Sequence, residues 1–188
     1  DLDFFDVKGD VEHLLAQKAS LEFKPTNHVA LHPGRSAEVL LDGKAIGFLG
    51  ELHPQWVQEY ELPAAPIVFE LLVEDMLTRA LPEFSEVSKQ PIVIRDLAFV
   101  VSQTIQAEAV KKALLATPDD NLVWLKSVIL FDEFVPKDEG KGLNANEKSL
   151  AFRLTLQSPD RSLSDVDTEP LLQKMIEQVS STTGARLR

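Results

Sequence analysis

Residues 148–156, Lys148-Ser149-Leu150-Ala151-Phe152-Arg153-Leu154-Thr155-Leu156, alternate between apolar and polar or small side chains. Alternation with a period of two predicts a β-strand that buries one face and exposes the other. A second stretch, Leu130-Phe131-Asp132-Glu133-Phe134, lies just upstream. We predict that the two stretches pair as neighbouring strands and that the fold is organised around them. The predicted wet face of the downstream strand carries Ser149, Ala151, Arg153 and Thr155.

Asp132 and Phe134 have the same parity on the upstream strand. If both lie on the wet face, an exposed aromatic ring is surrounded by a carboxylate, the Ser149 hydroxyl and the Arg153 guanidinium. A solvent-facing ring among hydrogen-bonding groups can stack a nucleobase and read its edge. The alternative is a ring that closes the end of a hydrophobic core. The local pattern leaves both interpretations open.

The second half of the chain predicts a ferredoxin-like fold. Its strands are predicted at 95–101, 122–134, 147–157 and 185–188, and its first helix at 104–115. The second helix ends near residue 180, and because Pro170 is best tolerated in a first turn, Thr168 is favoured over Ser164 as its cap. The resulting βαββαβ order belongs to the α+β class and leaves one face of the sheet open.

The first half predicts an antiparallel sheet with short helices. Phe4–Val7 is predicted as a strand or turn, followed by a helix capped by Asp10. Asp42-Gly43 between two apolar runs predicts a two-residue hairpin turn, which requires positive φ at both positions. Residues 66–73 are predicted as a buried strand. We expect domains at 1–81 and 91–188, joined by a linker at 82–90 that is rich in Pro and Ser.

The net charge of −11 argues against a nucleic-acid-binding protein only if it is evenly distributed. Residues 1–88 contain 6 basic and 16 acidic side chains, whereas residues 89–188 contain 13 and 14. The second half is therefore nearly balanced, at −1. Reading a few unpaired bases requires less positive charge than tight non-specific DNA binding. Candidates for contacts with the RNA backbone or across the sheet face are Lys126, Lys137, Lys141, Lys148 and Arg153.

Catalytic and metal chemistry find little support in the sequence. The absence of Cys removes disulfides, thiolate catalysis and Cys-based zinc sites, and it fits a reducing cytoplasm. His28 and His32 have a metal-like spacing, but Pro33-Gly34 argues against a helix there and a third ligand is not evident. Glu51 and His53 could form an acid–base pair, but no nucleophile motif accompanies them. We predict no catalytic residue, no metal ligand and no membrane span.

From the residue pattern alone, an open ferredoxin-like sheet suits two kinds of function. One is the reading of RNA bases. The other is a small-molecule-sensing or protein-interaction module, in which the first half serves as a dimer platform. Composition does not separate these two hypotheses.

Seven short motifs run through the chain. Three lie in the first half, at Phe4–Asp10 (FFDVKGD), Leu31–Ala37 (LHPGRSA) and Gly47–Pro54 (GFLGELHP). The other four are Arg95–Ala98 (RDLA), Leu130–Asp132 (LFD), Lys148–Ala151 (KSLA) and Gly184–Arg188 (GARLR). In this order they resemble consecutive motifs of the β subunit of bacterial phenylalanyl-tRNA synthetase. Because the chain begins with Asp1 and not Met, we expect a piece from the C-terminal part of such a subunit.

The resemblance implies a class II synthetase, a cytoplasmic (αβ)2 heterotetramer that uses ATP and Mg2+ to join phenylalanine to tRNA-Phe. It implies that residues 1–81 end a synthetase-like module that lacks the active site and supports assembly with the α subunit. Residues 91–188 would bind the anticodon stem-loop. The implied base contacts are Asp132, Phe134 and Ser149, with the aromatic ring, often Tyr in the family, stacked on the first anticodon base. The implied fragment holds no cofactor of its own.

Overall fold

The computed structural model describes residues 2–15, 20–77, 87–136 and 143–188. The chain divides into two compact units, residues 1–84 and 85–188. Each unit has its own four-stranded antiparallel sheet and its own hydrophobic core. No helix within the described ranges is long and apolar enough to cross a membrane.

The sheet of the first unit runs in chain order. Its strands are β1 (Leu21–Pro25), β2 (Leu31–Leu41), β3 (Lys44–Leu52) and β4 (Ile67–Leu71). The β2–β3 hairpin turns at Asp42 and Gly43, whose φ angles of 50° and 78° confirm the predicted turn. The prediction that β4 is buried is wrong. β4 is an edge strand that pairs only with β3, and Phe69 on it is 44% exposed.

Three helices belong to the first unit: α1 (Phe4–Leu14), α2 (Pro54–Glu59) and α3 (Val73–Leu77). The prediction for α1 is wrong at its start, because the cap is Asp3 and not Asp10. The Asp3 carboxylate accepts hydrogen bonds from the backbone N–H groups of Phe5 and Asp6, and the Asp6 carboxylate accepts one from Asp3 in return. This reciprocal capping satisfies the first amides of the helix. It also places Gly9 inside the helix.

The second unit has the predicted ferredoxin-like topology. Its strands are β5 (Val93–Ser102), β6 (Leu125–Phe134), β7 (Glu147–Leu156) and β8 (Arg186–Leu187), in the spatial order β6-β7-β5-β8. Its helices are α4 (Ala107–Leu115), a 3-10 turn (Asp120–Trp124) and α5 (Asp165–Thr183). The fold class predicted from the sequence is confirmed.

The helix α5 begins earlier than predicted, because Ser164 and not Thr168 is its cap. The Asp167 carboxylate accepts hydrogen bonds from both the backbone N–H and the hydroxyl of Ser164. Pro170 therefore lies inside the helix, where it removes one backbone donor.

One face of the second sheet packs against α4 and α5. The apolar side chains of β7 are all fully buried on this face, together with Phe99 of β5 and Met175 of α5. The predicted alternation of β7 is confirmed on its apolar side. The alternate residues of β5, β6, β7 and β8 lie on the opposite side, called the open face below. In the described part of the second unit, no helix covers it.

The close approach of β3 to β4 at Gly47 gives a testable prediction. A Cβ atom at Gly47 would lie 1.9 Å from the backbone oxygen of Glu70. We expect Gly47→Ala to lower the free energy of unfolding by at least about 2 kcal/mol, measured by urea denaturation of the 188-residue chain. Gly9→Ala is the matched control: nothing lies within 4 Å of its added Cβ, and it should stabilise α1 by about 0.5–1 kcal/mol. Equal losses in both variants would contradict this explanation.

Candidate nucleic-acid interface

The open face is shaped by a β-bulge at Phe131. Leu130 lies opposite Phe152, and Asp132 lies opposite Ala151, the next residue along β7, so Phe131 is an extra residue in β6. Directly opposed residues of an antiparallel pair have their side chains on the same face. Leu130 therefore belongs to the helix-covered face, whereas Asp132 belongs to the open face.

The bulge gives Asp132 and Phe134 their common face with Ser149. Phe134 pairs directly with Ser149, and Asp132 pairs with Ala151, the next open-face position of β7. The predicted shared face of the three residues is confirmed. Strict alternation would also have placed Leu130 on that face, and only the bulge separates it from Asp132.

Ser149 is on the predicted face but is not wet, because it is only 3% exposed. The Nη1 atom of Arg188 lies 3.5 Å from the Ser149 hydroxyl, at the limit of a hydrogen bond. The same guanidinium lies 5.8 Å from the centre of the Phe134 ring. Arg188 reaches this position because its backbone N–H donates to the carbonyl of Ala98 on β5.

A second arginine is held on the open face by an acid and an aromatic ring. Arg153 donates from Nε to Asp96 Oδ1 at 2.9 Å and from Nη2 to Asp96 Oδ2 at 2.7 Å. Its guanidinium lies 4.9 Å from the centre of the Phe131 ring, which is 49% exposed. Asp96 and Arg153 are directly opposed on β5 and β7. Their hydrogen bonds lower the pKa of Asp96 and raise the pKa of Arg153.

The two described lysines among the candidates lie elsewhere. Lys126 occupies a second bulge at the start of β6, and its Nζ donates to the carbonyl of Val123 at 3.3 Å. Lys148 shares the parity of Leu150 and therefore lies on the helix-covered side, where its Nζ is 3.0 Å from Glu133. The structure thus places Lys148 off the open face. The candidates Lys137 and Lys141 lie outside the described residues.

The sequence analysis missed Phe131 and Arg188. The shared parity of Asp132 and Phe134 and the alternation of the neighbouring strand do not indicate a bulge. Phe131 was therefore assigned no role. Arg188 joins the face through the β5–β8 pairing, which connects residues far apart in sequence. Its sequence signals were the predicted terminal strand at 185–188 and the motif Gly184–Arg188, and neither indicates which residues Arg188 contacts.

The histidines of the first unit have local structural roles. His53 caps α2 by accepting from the backbone N–H of Gln55 at 3.1 Å, and His28 stacks on Phe48 at 4.3 Å. Glu51 accepts two hydrogen bonds from Arg35 Nη1, at 3.0 and 2.7 Å. Among the described residues, no group of three His, Asp or Glu side chains could hold a metal ion.

Both units match known families. Residues 1–73 match the profile described as "Phenylalanyl tRNA synthetase beta chain CLM domain", and residues 88–188 match "Ferredoxin-fold anticodon binding domain". Proteins named phenylalanine–tRNA ligase beta subunit are similar over the whole chain. Those of Ralstonia nicotianae and Burkholderia pseudomallei are 47% identical, and that of Cupriavidus pinatubonensis is 43% identical. The chain spans 23% of the length of each of these relatives.

The ion pair between Asp96 and Arg153 leads to a prediction about how stability depends on pH in the acid range. Because the folded-state pKa of Asp96 lies below its unfolded value of about 3.9, the stability that the pair contributes is present above that value. It is lost as the pH falls through the lowered pKa. Carbon-detected NMR titration of the chain should show that the Asp96 carboxylate titrates with a midpoint below about pH 3.9. Arg153→Lys, which loses the two-bond geometry, should move the pKa back upward; a midpoint unchanged by this substitution would refute the cause.

Proposed function

Because this chain belongs to the family of the phenylalanyl-tRNA synthetase beta chain, we propose that its open face binds the anticodon of tRNA-Phe. The observation that carries the proposal is the placement of Asp132, Phe134 and Ser149 on one face of the sheet. This face has no helix over it within the described residues of the unit. A single-stranded loop can therefore lie against it with its bases turned toward the protein.

The three side chains have complementary chemistry toward a base. The ring of Phe134 offers a stacking surface, which any base can use. The exposed carboxylate of Asp132 is an acceptor for an amino or imino N–H on a base edge. The Ser149 hydroxyl, which lies beside Arg188 before RNA binds, can donate its proton to a base once Arg188 has moved.

Arg188 prepares this part of the face for binding. Its guanidinium lies close to both the Ser149 hydroxyl and the Phe134 ring when no RNA is bound, so one side chain lies beside both groups. Since Ser149 is nearly buried, a base that contacts its hydroxyl requires the exposed Arg188 side chain to shift. The displaced guanidinium can then stack on the base or contact a phosphate.

In the whole protein, we propose that the chain is part of a phenylalanine–tRNA ligase. The α subunit would be its partner in an (αβ)2 heterotetramer that works in the cytoplasm. The first unit would support that assembly, in keeping with the exposed edge and acidic composition of this unit. The ATP and Mg2+ of the reaction would bind to the α subunit, as the family resemblance implies.

Removal of the Phe134 ring tests anticodon binding. In the assembled ligase, Phe134→Ala should weaken tRNA-Phe binding by about 1–3 kcal/mol, roughly 5- to 150-fold in Kd, because one base loses its stacking surface. The measurement is equilibrium binding of tRNA-Phe, with aminoacylation kcat/KM as a second readout. Unchanged values of both would sink the proposal.

Two variants serve as controls for Phe134→Ala. Phe134→Tyr retains the ring and should retain tRNA affinity. Val166→Ala removes an exposed apolar side chain from α5, which packs on the side of the sheet opposite the open face. This variant should leave tRNA affinity unchanged. A loss in the Val166 variant equal to that of Phe134→Ala would show that the effect is not specific to the open face.

The assignment of catalysis to another subunit has its own test. The purified 188-residue chain, given phenylalanine, ATP and Mg2+, should form no aminoacyl adenylate, because the proposal places those sites in the α subunit. ATP–pyrophosphate exchange measures this directly. The assembled ligase is the positive control, and exchange above background by the chain alone would refute the assignment.

A further inference from the structure

We propose that Phe131 and Arg153 form a second stacking platform on the open face, which binds a second nucleotide of the same anticodon. This inference rests on the proposed function of the face. Phe131 was assigned no role from the sequence, and Arg153 was only a candidate for contacts with the RNA backbone or across the sheet face. Phe131 supplies the apolar surface, Arg153 the charged donor, and Asp96 positions Arg153.

The exposure of Phe131 is the first argument. The ring belongs to the extra residue of the bulge and remains half exposed, although a phenylalanine is normally buried. Ile129, which lies opposite Arg153 on the same face, is also exposed, and so is Ile94 on β5. Phe131 and Ile129 on β6 and Ile94 on β5 thus present apolar surface on both sides of the Arg153 guanidinium. Such a surface suits the flat face of a base.

The geometry of Arg153 is the second argument. Asp96 engages its Nε and Nη2 atoms, and Nη1 makes no hydrogen bond to any described residue. The guanidinium plane is therefore fixed while one donor nitrogen is left for a ligand. Arginine planes stack on bases, and their N–H groups donate to acceptors on base edges. A fixed plane loses less conformational entropy on binding than a free side chain.

The position relative to Phe134 is the third argument. Arg153 is four residues from Ser149 along β7, a distance of about 13 Å, and Phe131 is three residues from Phe134 along β6, a distance of about 10 Å. Between them, Ala98 and Ala151 lie opposite each other across β5 and β7. Their short side chains form a shallow floor between the two platforms. One base can stack at each platform without either occupying the place of the other.

The charges facing Arg153 make Asp96 a positioning residue. Directly opposed to Arg153 are Asp96 on β5 and Ile129 on β6, so the carboxylate is the group that determines the direction of the guanidinium. Asp96→Asn removes the negative charge and one acceptor oxygen. It should release the arginine and move its plane away from Phe131.

The experiment uses the assembled ligase and tRNA-Phe transcripts substituted singly at each of the three anticodon positions. Phe131→Ala, and Phe131→Leu as a variant that keeps apolar bulk, should weaken binding of unmodified tRNA-Phe roughly 5- to 150-fold. Both should also lose discrimination at one anticodon position. Phe134→Ala should lose discrimination at a different position. Asp96→Asn should weaken tRNA binding and reduce discrimination at the same anticodon position as the Phe131 variants, but to a smaller extent. In this variant the aminoacylation kcat should fall by a smaller factor than KM rises.

Leu130→Ala is the matched control, because Leu130 is on the same strand but belongs to the helix-covered face. It should leave discrimination at all three positions unchanged. If Phe131 variants bind like the parent while Phe134→Ala is impaired, the second platform is overturned and the proposed function stands. Loss of discrimination at the same anticodon position in the Phe131 variants and in Phe134→Ala would also overturn the second platform. If neither Phe131 nor Phe134 variants change binding, the proposed function itself fails.

Discussion

The arrangement of the open face depends on the register in which β6 pairs with β7. Upstream of the bulge, Leu130 faces the helices; downstream of it, Asp132 and Phe134 face away from them. A one-residue shift in a strand moves every later side chain to the other face. If Phe131 paired regularly with Ala151 instead of forming a bulge, Asp132 and Phe134 would share Leu130's face and point toward the helices. β6 is an edge strand, and a bulge there disturbs hydrogen bonding to one neighbour only.

The charged side chains of the open face are largely paired with one another. Arg153 is paired with Asp96, and Arg186 donates to Glu147 at 3.0 Å. The pKa of Glu147 is lowered mainly by the backbone N–H of Asn144 and further by Arg186. These pairs make the face nearly neutral, in agreement with the balanced charge of the second half. A face of this kind gains affinity from stacking and oriented hydrogen bonds more than from phosphate attraction, as the proposed reading of unpaired bases requires.

The predictions from sequence succeeded where one physical rule dominated. The alternation of β7 and the Asp42-Gly43 turn each follow from a single local constraint, and both are confirmed. The starts of α1 and α5 were wrong because two capping choices competed, and the carboxylate three residues after the true cap decided between them. Phe131 could not be found because its place depends on a bulge in the β6–β7 pairing that breaks the regular alternation. Arg188 could not be found because it joins the face through the pairing of β5 with β8, which are distant in sequence.

Phe134 stands where the resemblance to the synthetase family implies Tyr in many members. A phenylalanine ring keeps the stacking surface but has no hydroxyl to hydrogen-bond a base. Under the proposed function, discrimination between bases at this platform therefore depends on Asp132 and on the Ser149 hydroxyl, which Arg188 covers. The guanidinium near the ring supplies a further donor at the place that lacks the phenol. In this chain, the proposed recognition of the first base is thus distributed over three strands, and its selectivity depends on the β5–β8 pairing that positions Arg188 as well as on β6.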